Sequence, residues 1–242
     1  IDDREDGGCK TDKFDRDERL LRGGLEDPNT PKGLATRYKF YLAQTLKDTR
    51  RFRESINWYE ARVADGGWAE EVFYAKFQIG WNYEQLGWNF KHAHKLSTQE
   101  TKTEEEEKFL TSWPLVDCEN YYDEYNFNFD KAAEAYMSAY KYRRCRSESL
   151  YHLARMYRML GRNEDSYNIV QIGKKIPYPK TDSLFIERAC YDYSFDVELS
   201  IVCYYLPTKK EEGRKAVSKL LSRDDLPQSV IENAERNSRF YI

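Results

Sequence analysis

Apolar runs are short throughout this 242-residue chain, and none approaches the roughly 20 residues that a helix needs to span a bilayer. The first residues, Ile1-Asp-Asp-Arg-Glu-Asp-Gly-Gly8, are acidic where a secretory signal would be basic and then apolar. A soluble chain with no membrane span is the expectation. Cysteine is scarce: Cys9, Cys118, Cys145, Cys190 and Cys203 are odd in number, scattered and never in a Cys-x-x-Cys spacing. Asn-x-Ser/Thr sites are absent as well, so a reducing, cytoplasmic setting is favoured. The chain begins at Ile1 instead of Met and reads as a fragment or a processed product. Histidine is scarcer still. His92, His94 and His152 have no Cys or carboxylate at metal-ligand spacing around them, and a His-Ala-His step points its rings to different sides of a helix. Neither Gly23-Gly24 nor Gly66-Gly67 carries the further residues of a phosphate loop, and no nucleophile-base set follows from spacing. No metal or cofactor is expected in this chain. An excess of one charge is missing too: Lys plus Arg number 39 and Asp plus Glu 42, so there is no basic field to attract a nucleic acid. These absences leave a non-catalytic module.

What the chain does have is a concealed repeat. Ala43, in Leu42-Ala43…Leu46, is followed 12, 16 and 19 positions later by Ser55, Tyr59 and Arg62. Ala154, in Leu153-Ala154…Tyr157, is followed at the same offsets by Ser166, Val170 and Gly173. Between them, Ile79-Gly80…Tyr83 opens a copy whose second half, Ala132, Tyr136 and Ala139, arrives 52 residues after Gly80 because a 40-residue insert separates the halves. Without the insert the copies are spaced by 37 and 34 residues, the period of stacked helix hairpins of the tetratricopeptide kind. The physical reason is close approach: a small residue on the first helix admits a large one from the second. The expected fold is all-α: a superhelix of tetratricopeptide-like hairpins with a C-terminal helical cap. Residues 1–35 form a junction segment and first helix, 36–180 the three repeats with an insert at about 91–129, and 181–242 the cap, with helices expected over Ser183–Leu206, Lys209–Leu221 and Pro227–Asn237. Gly87 and Gly161 are read as stops after first helices, and Asp130 and Asn163 as N-caps. Trp68 caps an inter-repeat turn, with Glu70 and Glu71 at the positive end of the next helix.

The insert has its own composition. Thr98–Lys108 is polar and acidic, a mobile loop or solvated helix, and the four consecutive carboxylates Glu104–Glu107 point around a helix and do not converge on an ion. Tyr121–Phe129 is rich in aromatic residues and is expected to fold back over the repeat, as a lid, a partner contact or an oligomer interface. Aromatics reach 15% of the chain, with 20 Tyr, which fits repeat cores and a groove rim, or stacking against carbohydrate.

Several ordered pieces of the sequence carry a resemblance. They are Asp6-Gly-Gly-Cys-Lys10-Thr-Asp-Lys-Phe-Asp-Arg-Asp17, Arg37-Tyr-Lys-Phe-Tyr-Leu-Ala-Gln44, Gly66-Gly-Trp-Ala-Glu-Glu-Val-Phe-Tyr74 and Ser149-Leu-Tyr-His-Leu-Ala-Arg155. Ile176-Pro-Tyr-Pro…Asp182-Ser-Leu-Phe185, Glu198-Leu-Ser-Ile201 and Asn237…Phe240-Tyr241 continue it. Together they resemble the segment that follows the catalytic domain in family 2 glycosyltransferases of bacteria and large DNA viruses. The resemblance implies a non-catalytic tetratricopeptide-like region that supports a GT-A catalytic domain. A divalent metal and a nucleotide-sugar would then belong only to an upstream domain. It also implies that Asp6, Gly7, Gly8 and Lys10 form a junction loop with that domain.

In tetratricopeptide stacking, set positions of each first helix line a concave groove. Carried onto this sequence, they make Arg37, Gln44, Tyr74, Trp81, Tyr151, Arg155 and Arg158 the candidate binding residues. Arginine forks and aromatic rings suit an acidic peptide or a glycan acceptor. A free-standing peptide-binding adaptor is the alternative function, and occupation of the groove by the insert or by the C-terminal helices is the competing reading.

Overall fold

The computed structural model describes residues 13–112 and 121–241, and among these it is all-helical, with no strand. The first half contains α1 (Lys13–Glu26), α2 (Lys32–Asp48), α3 (Phe52–Asp65), α4 (Ala69–Ser97), α5 (Glu104–Ser112) and α6 (Tyr121–Tyr142). The second contains α7 (Glu148–Met159), α8 (Asn163–Gly173), α9 (Ala189–Asp192), α10 (Ser194–Val202), α11 (Lys210–Leu221) and α12 (Gln228–Ser238), with short 3₁₀ turns after α10 and at the C-terminal end. Sequential helices pack as antiparallel hairpins: α2 with α3, α4 with α6, and α7 with α8. The remaining helices continue the stack, α10 against α8 and α11 against both α10 and α12.

The repeat positions are the points of closest packing. Ala43, Tyr59, Ala132, Tyr136, Ala139, Ala154 and Val170 are all completely buried. Burying one such large side chain contributes about 1.5–3 kcal/mol. Ser55 adds a polar tie: its hydroxyl donates to the Ala43 carbonyl at 2.7 Å and accepts from Asn82 Nδ2 at 3.0 Å, fastening α2, α3 and α4 at one buried point. Glycine sets the approach of α4 to α6. A Cβ at Gly80 would lie 2.6 Å from the Tyr136 ring, and one at Gly87 would lie 2.7 Å from the Phe129 ring.

Gly87 is therefore not the helix stop expected from its position. The helix runs on for ten further residues to Ser97, because the missing side chain serves a ring on α6 instead of a turn. Gly161 does end its helix, with φ of 77° just beyond α7. Asp130 lies inside α6, which starts at Tyr121, and Asn163 is the first residue of α8 instead of its cap. The insert thus lengthens both arms of the second hairpin and adds α5. That helix opens on a reciprocal capping box: the Thr103 N–H donates to the Glu106 carboxylate at 2.7 Å, and the Glu106 N–H donates to Thr103 Oγ1 at 3.3 Å. The aromatic stretch packs inward through Phe129, 4.7 Å from Trp88 between ring centres. The helix expected from Ser183 starts only at Ala189, and residues 174–188 are irregular.

Two glycines should respond oppositely to alanine. Gly80→Ala gains about 1 kcal/mol of helix propensity but forces a fully buried tyrosine whose hydroxyl is tied down, an overpacking cost of roughly 1–3 kcal/mol. Gly23→Ala on α1 meets nothing within 4 Å. Urea denaturation should show a lower midpoint for Gly80→Ala and an equal or higher one for Gly23→Ala.

Candidate functional site

The face built by α2, α4 and α7, where the candidate groove residues were placed, carries a segment of the same chain. Pro177 and Pro179 lack N–H donors and disfavour helix in the residues before them, so the helix ends after α8 and the chain crosses this face before α9 begins. Four contacts fix the crossing. Glu70, in the first turn of α4, accepts the backbone N–H groups of both Ser183 and Leu184 at 2.7 Å. Phe185 lays its ring 4.4 Å from Tyr74 and 6.5 Å from Phe40. Asp182 takes a two-pronged hydrogen bond from Arg143, through Nε at 2.6 Å and through Nη2. Glu187 meets His152 Nε2 at 3.2 Å, and its backbone N–H donates to Glu148 at 3.3 Å.

Arg146 holds these contacts together. Its side chain is wholly buried, and all three of its nitrogens donate to acceptors. Nε donates to both Glu148 oxygens at 3.0 Å, and Nη2 reaches Glu148 Oε1 at 2.9 Å and the Phe185 carbonyl at 3.0 Å. Nη1 donates to Asp182 at 3.3 Å and to the Leu184 carbonyl at 3.2 Å. The guanidinium also lies 4.7 Å over the Phe73 ring, a cation–π contact. Glu148 is shared further, accepting from Tyr191 Oη at 2.8 Å, while that hydroxyl accepts from the Ser147 N–H at 3.1 Å. Phe185 has φ of 47°, an unusual conformation for a side-chain-bearing residue, and its carbonyl is one of those the arginine holds.

Electrostatics follow from this arrangement. Hydrogen bonds from Arg143, reinforced by Arg146, hold the Asp182 carboxyl below its ordinary value. Burial pushes Glu187 up, but the hydrogen bond from His152 and its neighbouring charges outweigh that and leave it lowered. Burial raises the Tyr74 and Tyr151 hydroxyls to about 12. Burial likewise raises the Cys190 thiol, which is therefore not a ready nucleophile.

The candidate residues divide by what they touch. Tyr74 lies under Phe185. Arg155 donates to the buried Glu84 at 3.0 Å, and that carboxylate also accepts from Tyr136 Oη at 2.7 Å and Trp88 Nε1 at 3.1 Å. Arg158 forks onto Glu198 of α10 at 2.6 and 3.2 Å, beside Tyr151, which packs edge-on against Phe195. Trp81 packs against Phe52 with the Lys47 ammonium 5.7 Å over its ring. Arg37 and Gln44 lie at the other end of the face. Arg37 donates to Tyr41 Oη at 2.8 Å, and Gln44 lines an open cleft of about 430 Å³ with Tyr41, Asp48 and, from α1, Phe14 and Leu21. Asp6, Gly7, Gly8 and Lys10 lie outside the described residues. Sequence reasoning missed Arg143 and Arg146, and it gave Glu70 only a dipole role. No local signal marks these partners, because each of their contacts to the crossing segment spans 36 to 114 residues.

Two measurements probe the crossing segment. In Glu70→Ala the Ser183 and Leu184 amides lose a charged acceptor, a contribution of about 1.5–3 kcal/mol per hydrogen bond to charge. Their hydrogen exchange should accelerate at least about tenfold while that of the α2 and α3 amides is unchanged. The second is acid stability. Because the native Asp182 carboxyl is held below its unfolded value, its contribution is complete above about pH 4 and is lost as pH falls through the lower native value. Asp182→Asn should therefore be less stable than the parent near neutrality, and its stability should fall less steeply below about pH 4. Against known proteins, no family model matches this chain and no curated protein is significantly similar to it.

Proposed function

We propose that this chain is the non-catalytic helical-repeat region of a glycosyltransferase, holding a catalytic domain and presenting a surface to acceptor or partner. The observation that carries the reading is where the pieces of the resemblance lie. Glu70 and Tyr74 from one piece meet Asp182, Ser183, Leu184 and Phe185 from another. His152 and Arg155 come from a third, and Glu198 and Ser200 from a fourth, the last pairing with Arg158 and Asn237. Tyr241, from the terminal piece, donates its hydroxyl to the Ser200 carbonyl at 2.9 Å. Residues scattered along the sequence are thus joined in several polar and aromatic clusters. Such clusters support a rigid scaffold role, with nucleotide-sugar and divalent metal chemistry belonging to an upstream domain. The adaptor reading needs the α2, α4 and α7 face for a peptide, and there the chain's own segment already takes the hydrogen bonds and ring contacts.

The coding sequence upstream of Ile1 is the direct test. The proposal expects roughly 100–250 residues of alternating strand and helix, one domain's worth, with a closely spaced Asp pair after a strand. The full product should then consume a nucleotide-sugar when supplied with a divalent cation. A start codon immediately before Ile1 overturns the proposal. The adaptor reading would then require affinity for an acidic peptide that is lost in Arg37→Glu.

A further inference from the structure

A second concavity lies between α3, α4 and α6, on a stripe of α4 different from the one that meets residues 182–185. Three helical stripes converge on it: Glu60, Val63 and Ala64 from α3, Lys76, Ile79 and Tyr83 from α4, and Lys131, Glu134, Ala135 and Ser138 from α6. Residues at i, i+3, i+4 and i+7 share one helix face, so each helix presents a continuous strip to the same space. The space is about 440 Å³, within the range of small-molecule sites. It stays open because Ala64, Ala135 and Ser138 are small where α3 and α6 would otherwise fill it.

The polar groups around it are unevenly satisfied. Lys131 is neutralised by Glu134 at 2.8 Å. Lys76 is not: its ammonium donates to the Ser138 hydroxyl at 3.1 Å and lies 5.8 Å over the Tyr142 ring, with no carboxylate of the described residues in ion-pair range. A half-buried ammonium has three donors, and here one goes to a neutral hydroxyl, while the surrounding walls are the apolar Val63, Ile79 and Ala135 and the half-buried ring of Tyr83. We infer that this cleft binds a small organic anion, a phosphate or carboxylate carried on a flat apolar body. Lys76 and Ser138 take the anion, Tyr83 and Ile79 take the flat face, and Glu60 and Glu134 at the rim accept N–H or O–H groups of the ligand. This inference does not depend on the glycosyltransferase reading, because the cleft is formed by the chain's own helices.

Phenyl phosphate and benzoate serve as probes in calorimetric titration of the full chain, beside inorganic phosphate and phenol, which each carry only half of the required chemistry. At least one of the two aromatic anions should bind saturably and more tightly than both half-probes, and which of them binds better distinguishes phosphate from carboxylate as the natural group. Lys76→Met should weaken that binding at least about tenfold, the scale of a lost charge-assisted contact in a partly dry site. Ala135→Leu should weaken it by filling the cleft, and Lys13→Met, on α1, should leave it unchanged. Circular dichroism establishes that each variant is folded. The inference is overturned if neither aromatic anion binds more tightly than its halves, or if folded Lys76→Met binds it as well as the parent chain.

Discussion

A guanidinium removed from water is costly, by several kcal/mol even after relaxation, and Arg146 is one whose side chain is fully buried. What makes it tolerable is that two carboxylates, two backbone carbonyls and an aromatic face engage each of its nitrogens. The stabilisation is therefore not a sum of separable contacts. Lifting residues 182–185 off the helices would remove the Asp182 carboxylate and the Leu184 and Phe185 carbonyls from the arginine together. The segment accordingly leaves as a unit or not at all. That cooperativity links α4, α7 and the irregular stretch before α9, elements far apart in sequence.

The same logic explains why the site region is rich in charge. Glu84 is completely buried, yet it receives three hydrogen bonds, from Arg155, Tyr136 and Trp88. Glu70 receives two backbone donors, and Arg158 and Glu198 close a fork between α7 and α10. Each of these carboxylates is taken up by donors of its own chain. Each carries charge inward where a partner from another helix meets it, and those meetings add to the apolar packing and the Ser55 tie that place the hairpins.

The hairpins were readable from sequence because their determinants are local. Ala43 with Ser55 and Tyr59, or Ala154 with Val170, lie within one helix pair, and the small-to-large pattern follows from close approach. Gly80 and Tyr136 were found as well, despite the insert, since the same offsets return when it is removed. Gly87 was misread, because a glycine that relieves a ring and a glycine that ends a helix look alike until the ring, Phe129, is placed. The crossing segment was illegible for a different reason. Two prolines mark where helix stops but say nothing of where the chain goes, and Asp182 finds Arg143 only after the hairpins have brought them together. The candidate groove residues were placed on helices at fixed repeat positions. What could not be read was that Tyr74 would meet Phe185, or that Arg155 and Arg158 would turn to carboxylates of their own chain.

The 29-residue helix α4 serves both surfaces. One stripe, with Glu70 and Tyr74, holds the crossing segment, and another, with Lys76, Ile79 and Tyr83, walls the open cleft. The two stripes are separated by as little as two residues along the chain but by nearly half a turn around the axis. Between them lie the rings and small residues that pack α4 against its neighbours, including Phe73, Phe77 and Gly80. A packed core of this kind has little freedom to rotate, because turning α4 to adjust one stripe would drive Tyr136 into the backbone at Gly80. Occupation of the cleft therefore has no route to loosen the crossing segment short of disrupting the α4–α6 hairpin. The two surfaces act as independent features of one rigid element.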